Sequence, residues 1–419
     1  MSENFNLRSK AYWQQMGWAL LTGLFSAIAA FVFIALMNVG SDFIWPDTTD
    51  WTPFSGSWFM VVVMTLAGLV VGLIHHFTDA AELDVFEALD EGDMDPKPVP
   101  ASVLASLVSL IGGFALGPEV PSGMLGAGLG GWIARRRNMN AENTRVNVIG
   151  GVSAAYAGLF SSPFAILVLL LESKHRQTIT YYGTLLIAAM AAAVGFGLFY
   201  FLGGEAFSSL LGLISPPAYD LRLWHLGVGI LLGIVALPVA VLLPVLLKIL
   251  GRLVAPLNGK PIIRGILGGL LLGLLAYALP ITIGLGTTEM GIVTQQAAQM
   301  GVGLLLVFAV AKILALSGAI SFGFIGGPIF PLLFVGSTVG SAILLLFPQL
   351  PEGLVLGCMI VAGPAAIVPI PLALGVIGAL IVGLPPTNIL PIFLAALVAF
   401  SITHGMGLGN GKKKAQAEG

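Results

Sequence analysis

Charge is what this chain lacks. Only 9% of its 419 residues are Asp, Glu, Lys or Arg, while 57% are hydrophobic. A soluble domain carries roughly a quarter charged residues. A chain this poor in charge cannot cover a water-facing surface, so most of its outer surface is expected to face lipid. The mean hydropathy of +0.98 agrees. No basic run with interleaved aromatics offers a footprint for nucleic acid, and the net charge of −2 excludes nothing further. Cysteine is nearly absent. Cys358 stands alone in an apolar stretch, excludes an intrachain disulfide and reads as a small core residue. No P-loop, nucleophile elbow or H-E-x-x-H motif occurs. His75 and His76 precede an acidic stretch from Asp79 to Asp95, but its spacing fits no metal signature and reads as a solvated acidic loop. No cofactor, no metal site and no enzymatic activity are therefore expected.

What the chain has is apolar length. A membrane crossing needs about 20 apolar residues. Candidate segments run near 16–38, 57–77, 101–134, 145–172, 180–203, 223–254, 262–280, 300–323, 328–348, 353–383 and 386–404. The first is longer than a secretory h-region and no cleavage site follows it, so it reads as a membrane helix. Block 101–134 is interrupted at Gly117-Pro118 and again at Pro121, and block 300–348 at Gly326-Gly327-Pro328 and Pro331. Irregular backbone is tolerated at membrane depth only where it is buried in protein or lines a wet cavity. Both breaks therefore point to a transport site.

The two breaks repeat each other. GPEVPSGMLGAGLG (Gly117–Gly130) and GPIFPLLFVGSTVG (Gly327–Gly340) both fit G-P-x-x-P-x4-G-x3-G, 210 residues apart. The same offset pairs Thr78-Asp79 with Thr288-Glu289. Broken helices at corresponding places in two halves are the mark of a transporter built from repeats. The expected fold is an all-α polytopic membrane protein of two structurally related halves, an inverted repeat with broken helices. Its expected parts are an N-terminal tail over 1–15, a first membrane repeat over 16–210, a second over 211–408 and a polar tail over 409–419. Lys412, Lys413 and Lys414 place that tail in the cytoplasm. Gly126/Gly130 and Gly336/Gly340 form G-x-x-x-G pairs, expected to pack the two broken helices tightly around one site or to serve ordinary helix packing.

A helix N-terminus exposes backbone N–H groups and about half a positive charge, which binds anions without a lysine. Partial charges also allow exit, which rapid transport requires. Pro118 and Pro328 have no N–H to give, so the expected donors are the amides of Glu119, Val120, Ile329 and Phe330. Glu119 is a carboxylate inside a long apolar segment, and such residues are functional by default. As an anion itself it can compete with a transported anion for the same amides, and protonation releases it. A gate, a proton carrier or both are the expected roles, with a structural N-terminal carboxylate as the alternative.

These residues resemble the CLC family of chloride channels and chloride/proton exchangers. GPEVP (Gly117–Pro121) is similar to the family's G-x-E-G-P, whose glutamate is the external gate. GGPIFP (Gly326–Pro331) resembles G-G-x-F-x-P, which supplies amides to the anion. Lys312 matches a basic residue on the preceding helix, FSSPFAILVLLLE (Phe160–Glu172) resembles the family's F-N-A-P helix, and GLGTTEM near Glu289 resembles G-x-G-Y-E. The resemblance covers roughly 60–404 and implies a homodimer with one anion pore per subunit. This chain departs from the pattern at five points. Val120 replaces a glycine, and Ile329 stands where phenylalanine is usual. Ser173 occupies the position of an inner proton-relay glutamate, after Glu172. No tyrosine matches the pore tyrosine of the last helix, and the nearest hydroxyl to the family's inner serine is Thr78, with Ala80 at the aligned position. No CBS domain is apparent. The expected function is transport of small inorganic anions, chloride first, through a pore in the cell membrane gated by Glu119, as channel or chloride/proton exchanger. Lys312, Glu172, Ser173 and Thr78 are expected supporting residues. The alternatives are a fluoride or other anion pathway of the same fold, and a non-conducting scaffold or membrane enzyme.

Overall fold

In a computed structural model, residues 9–45, 51–172, 181–204 and 212–406 are described. Among them are seventeen α-helices: α1 (Lys10–Ile44), α2 (Trp58–Phe77), α3 (Val85–Glu91), α4 (Val99–Ile111), α5 (Glu119–Arg136), α6 (Ala141–Leu159), α7 (Pro163–Glu172), α8 (Tyr181–Gly203), α9 (Leu223–Val235), α10 (Leu237–Val254), α11 (Pro261–Ala278), α12 (Thr287–Gln295), α13 (Ala297–Phe322), α14 (Ile329–Leu346), α15 (Glu352–Ala365), α16 (Pro371–Val382) and α17 (Ile389–Gly405). Eight of the helical segments are long and apolar enough to cross a membrane. Large apolar side chains such as Phe25, Leu66, Leu231 and Val310 are exposed on them, as lipid-facing helices require.

The chain forms two compact units. The first comprises residues 1–40, 77–107 and 118–210. Its core joins α1, α6 and α8 through Ala27, Ala30, Ala154, Ala155, Ala191 and Phe199. Small residues let these helices approach closely, and the Thr22 hydroxyl donates to Asn147 Oδ1 across the buried contact at 2.7 Å. The second unit comprises residues 41–76, 108–117 and 211–419. There α2 lies on α11 with backbones in near contact, since a Cβ on Gly68 would fall 2.2 Å from the Gly265 carbonyl oxygen.

The repeat is visible element by element. Helices α5 and α14 begin and end 210 residues apart, at Glu119 and Ile329 and at Arg136 and Leu346. Each is followed by a largely buried helix, a shorter helix opened by proline, and a longer one: α6, α7 and α8 in one half, α15, α16 and α17 in the other.

Several expectations need correction. Pro121 and Pro331 are not second breaks. Each is the third residue of its helix, where no i−4 carbonyl awaits its missing N–H. Pro118 and Pro328 are the N-caps of these helices. Block 145–172 is two helices, parted at Ser161, whose φ of 52° lies in the left-handed region. The acidic stretch is partly helical, because the Asp84 side chain caps α3 by accepting from the N–H groups of Phe86 and Glu87. Thr78 lies beyond the end of α2, whereas Thr288 sits in the first turn of α12, so that pairing reflects no shared local structure. The G-x-x-x-G glycines pack each broken helix on the helix that follows it. A Cβ on Gly126 would fall 2.7 Å from the Gly151 carbonyl oxygen of α6, and one on Gly336 2.2 Å from that of Met359 in α15.

Candidate functional site

The first unit carries the carboxylate. Glu119 is the first residue of α5, only 3% exposed. No side chain caps this helix end. One turn on, Gly123 leaves room for the phenol of Tyr156, which reaches across from α6: a Cβ on Gly123 would lie 2.5 Å from the Tyr156 hydroxyl and 2.6 Å from Val85. Tyr156 is 2% exposed, with the Glu119 carboxylate in its neighbourhood. Between Glu119 and Gly123, the buried Ser122 hydroxyl has no hydrogen-bond partner among the described residues. The start of α5 is thus bordered by the start of α3 and by two buried hydroxyls.

The second unit carries both loops that lead into the broken helices. Gly117 N–H donates to the Gly327 carbonyl at 2.7 Å, and Gly327 N–H donates back to Gly117 at 2.8 Å. Phe114 stacks on Phe324 with ring centroids 3.6 Å apart and planes 19° from parallel. Gly113 and Gly323, one residue earlier in each copy, have φ of 84° and 88°. Each of these pairs is separated by 210 residues. Equivalent residues that contact each other reciprocally are what a local two-fold relation produces. Gly326 completes the fit, because a Cβ there would lie 2.6 Å from that of Leu116.

Lys312 supports the first of these loops. It is 0% exposed. Its Nζ donates to the carbonyls of Thr282, Ile283 and Gly284 at 3.2, 3.0 and 2.8 Å. Gly284 N–H in turn donates to the Gly113 carbonyl at 2.9 Å. The Nζ also lies 5.1 Å from the centre of the Phe334 ring, a distance at which a cation is attracted to the ring face. Glu289 lies near enough to act on Lys312 electrostatically, but the two form no contact ion pair. Lys312 is thus a buried cation held by three carbonyls.

The other expected residues fall as follows. Glu119, Val120 and Pro121 belong to the first unit, with Pro118. Gly117, Gly326, Gly327, Pro328, Ile329, Phe330, Pro331 and Lys312 belong to the second. Thr78 is exposed beyond α2, its Oγ1 accepting from Ala80 N–H at 3.3 Å. Glu172 ends α7, and Ser173 and the Lys412–Lys414 tail lie outside the described residues. No group of His, Cys, Asp and Glu among the described residues is arranged to hold a metal. Sequence reasoning missed Tyr156 and the pairs Gly113/Gly323 and Phe114/Phe324. The pairs were within reach, since extending the repeat four residues upstream gives G-F-x-x-G-P in both copies. Tyr156 carried no local signal.

Known proteins resemble this chain over most of its length. The YfeO proteins of Salmonella newport (strain SL254) and Escherichia coli (strain SMS-3-5 / SECEC), provisionally named as ion-transport proteins, are 28% and 27% identical over 400 and 357 residues. These alignments cover 91% and 82% of this chain and 92% and 82% of the relatives. Among solved structures, a CLC-type fluoride/proton antiporter matches with a TM-score of 0.76 at 21% identity. A slow cyanobacterial Cl−/H+ antiporter matches with 0.73 at 19%. Each covers 94% of this chain and 95% of its own. The family model for the voltage gated chloride channel matches residues 67–404, and the chain belongs to that family.

Proposed function

We propose that this protein moves small inorganic anions, chloride first, across a membrane, and that Glu119 gates the path. The observation that carries the proposal is the reciprocal Gly117–Gly327 bridge. Helices α5 and α14 both start two residues beyond it, and both starts lack a side-chain cap. Two residues of chain reach at most about 7 Å, so each positive helix end is tethered close to the paired loops. The amides of Glu119, Val120, Ile329 and Phe330 are the proposed anion donors, acting through partial charges that hold an anion without trapping it. The Glu119 carboxylate competes for this field when ionised and withdraws when protonated. Tyr156 and Ser122 supply hydroxyls beside it. Lys312 positions the first loop from behind.

Efflux from liposomes reconstituted with the protein, with internal pH recorded, tests this. Chloride efflux is expected from wild type. In Glu119→Gln it persists while any coupled proton movement disappears. Equal proton coupling in both proteins removes Glu119 from the mechanism, and no anion flux from either leaves a scaffold. Fluoride is the second anion to measure, because a CLC-type fluoride/proton antiporter shares this fold at a TM-score of 0.76. A homodimer with one pore per subunit, residence in the cell membrane and a cytoplasmic C-terminus complete the proposal. Cross-linking in native membranes tests the first, and accessibility of a C-terminal tag the last.

A further inference from the structure

The second unit holds a further cavity, of about 360 Å³. It is lined by His75 and His76 at the end of α2, Pro261, Arg264 and Gly265 at the start of α11, and Gly323 at the end of α13. These three helices are candidate membrane spans, and the ends of spans lie where hydrocarbon gives way to headgroups. The cavity is therefore at headgroup depth, with exposed Phe77 and Ile263 nearby.

Its chemistry favours an oxyanion. Arg264 donates one terminal nitrogen to the Ser321 carbonyl. Among the described residues no carboxylate lies within salt-bridge reach of it, and its Nε has no hydrogen-bond partner. A guanidinium matches the geometry of phosphate oxygens. Helix α11 begins with Pro261 and has no side-chain cap, so its positive end reinforces the arginine. His75 Nε2 donates to the Gly323 carbonyl at 2.9 Å, which fixes that wall. Exposed Lys260 precedes the helix. Basic pockets between membrane helices are the type of site that takes anionic headgroups.

We infer that this cavity binds a phosphate group, through Arg264, His76 and the first turn of α11. Two sources share that chemistry: the headgroup of an anionic phospholipid and free inorganic phosphate. The test uses the purified, delipidated full chain titrated with phosphatidylglycerol or phosphatidylcholine and read by native mass spectrometry. Inorganic phosphate is added as competitor. Wild type is expected to take phosphatidylglycerol at a concentration at least tenfold below phosphatidylcholine. Arg264→Gln is expected to cut that preference to under threefold. His76→Gln, at an exposed position that leaves the fold intact, is expected to reduce it by a similar direction and smaller factor. Arg137→Gln, in the first unit, is expected to leave it unchanged. Displacement by millimolar phosphate assigns the site to the soluble ion, and resistance to it assigns the site to lipid; either supports a phosphate site. Wild-type preference in both Arg264→Gln and His76→Gln overturns the inference, as does the absence of both a lipid preference and phosphate binding in wild type. The measurement reads binding alone, so its outcome is independent of whether the protein conducts anions.

Discussion

At the scale of single residues, the chemistry is sparse and each group has a separable task. Tyr156 offers one hydroxyl at a buried position beside the start of α5, and Tyr156→Phe removes the oxygen while keeping the ring. A hydrogen bond to a charged group is worth about 1.5–3 kcal/mol, so anion flux is expected to fall about tenfold or more while the thermal unfolding midpoint barely moves. Flux equal to wild type would separate the phenol from the pathway. Lys312 answers to a different measurement. Lys312→Met leaves the carbonyls of Thr282, Ile283 and Gly284 without their donor, and each buried acceptor so stranded costs about 1–3 kcal/mol. A large drop in thermal stability is expected, with loss of flux following from it. The carboxylate Glu119 could be singled out from sequence because a charge in an apolar run is conspicuous. Tyr156 could not be, since a tyrosine among alanines and glycines looks like ordinary core until α6 is packed on α5.

At the scale of elements, the two broken helices depend on close backbone approach and on the paired loops. Gly336 meets the Met359 carbonyl so closely that a Cβ would lie 2.2 Å from its oxygen. Gly336→Val is expected to separate α14 from α15 and abolish a folded peak in size-exclusion chromatography. The same change at Gly291, where a Cβ meets nothing within 4 Å, is expected to be tolerated. The Phe114–Phe324 stack clamps the loops from one side. Phe324→Ala removes one ring from a buried site and is expected to cost about 3–5 kcal/mol, read as a lower unfolding midpoint, with anion flux reduced because both loops lose their register. The glycines and prolines that interrupt these helices were legible as breaks. Which proline caps and which is carried inside the first turn was not, because both placements satisfy the missing N–H and only the backbone angles distinguish them.

At the scale of the whole molecule, a chain so rich in apolar residues must place them both inside and against lipid. Cys358 is 0% exposed, and it is the single cysteine in the chain. A maleimide is expected to leave it unmodified in native micelles and to label it fully once the protein is denatured, which gives a probe of global unfolding without any added mutation. Fast native labelling would mean that α15 opens to solvent. The compact units also cut across simple halves. Helix α2, early in the chain, packs with α11 in the second unit, through small residues at Gly68, Gly72, Gly265 and Gly269 whose partners no local pattern names.

Composition alone determined that this is a membrane protein of many helices, because too few charges exist to cover a wet surface. The repeated G-P-x-x-P-x4-G-x3-G alone determined that two helices start the same way, 210 residues apart, because proline fixes φ and removes a donor while glycine permits turns and close approaches that other residues resist. Tertiary structure alone decided that the two loops pair with each other, that Lys312 is held by carbonyls rather than by a carboxylate, that Tyr156 reaches α5 at Gly123, and that Arg264 lines a cavity with the end of α2. Those are contacts between residues far apart in the chain, and their energies depend on packing that no window of sequence contains.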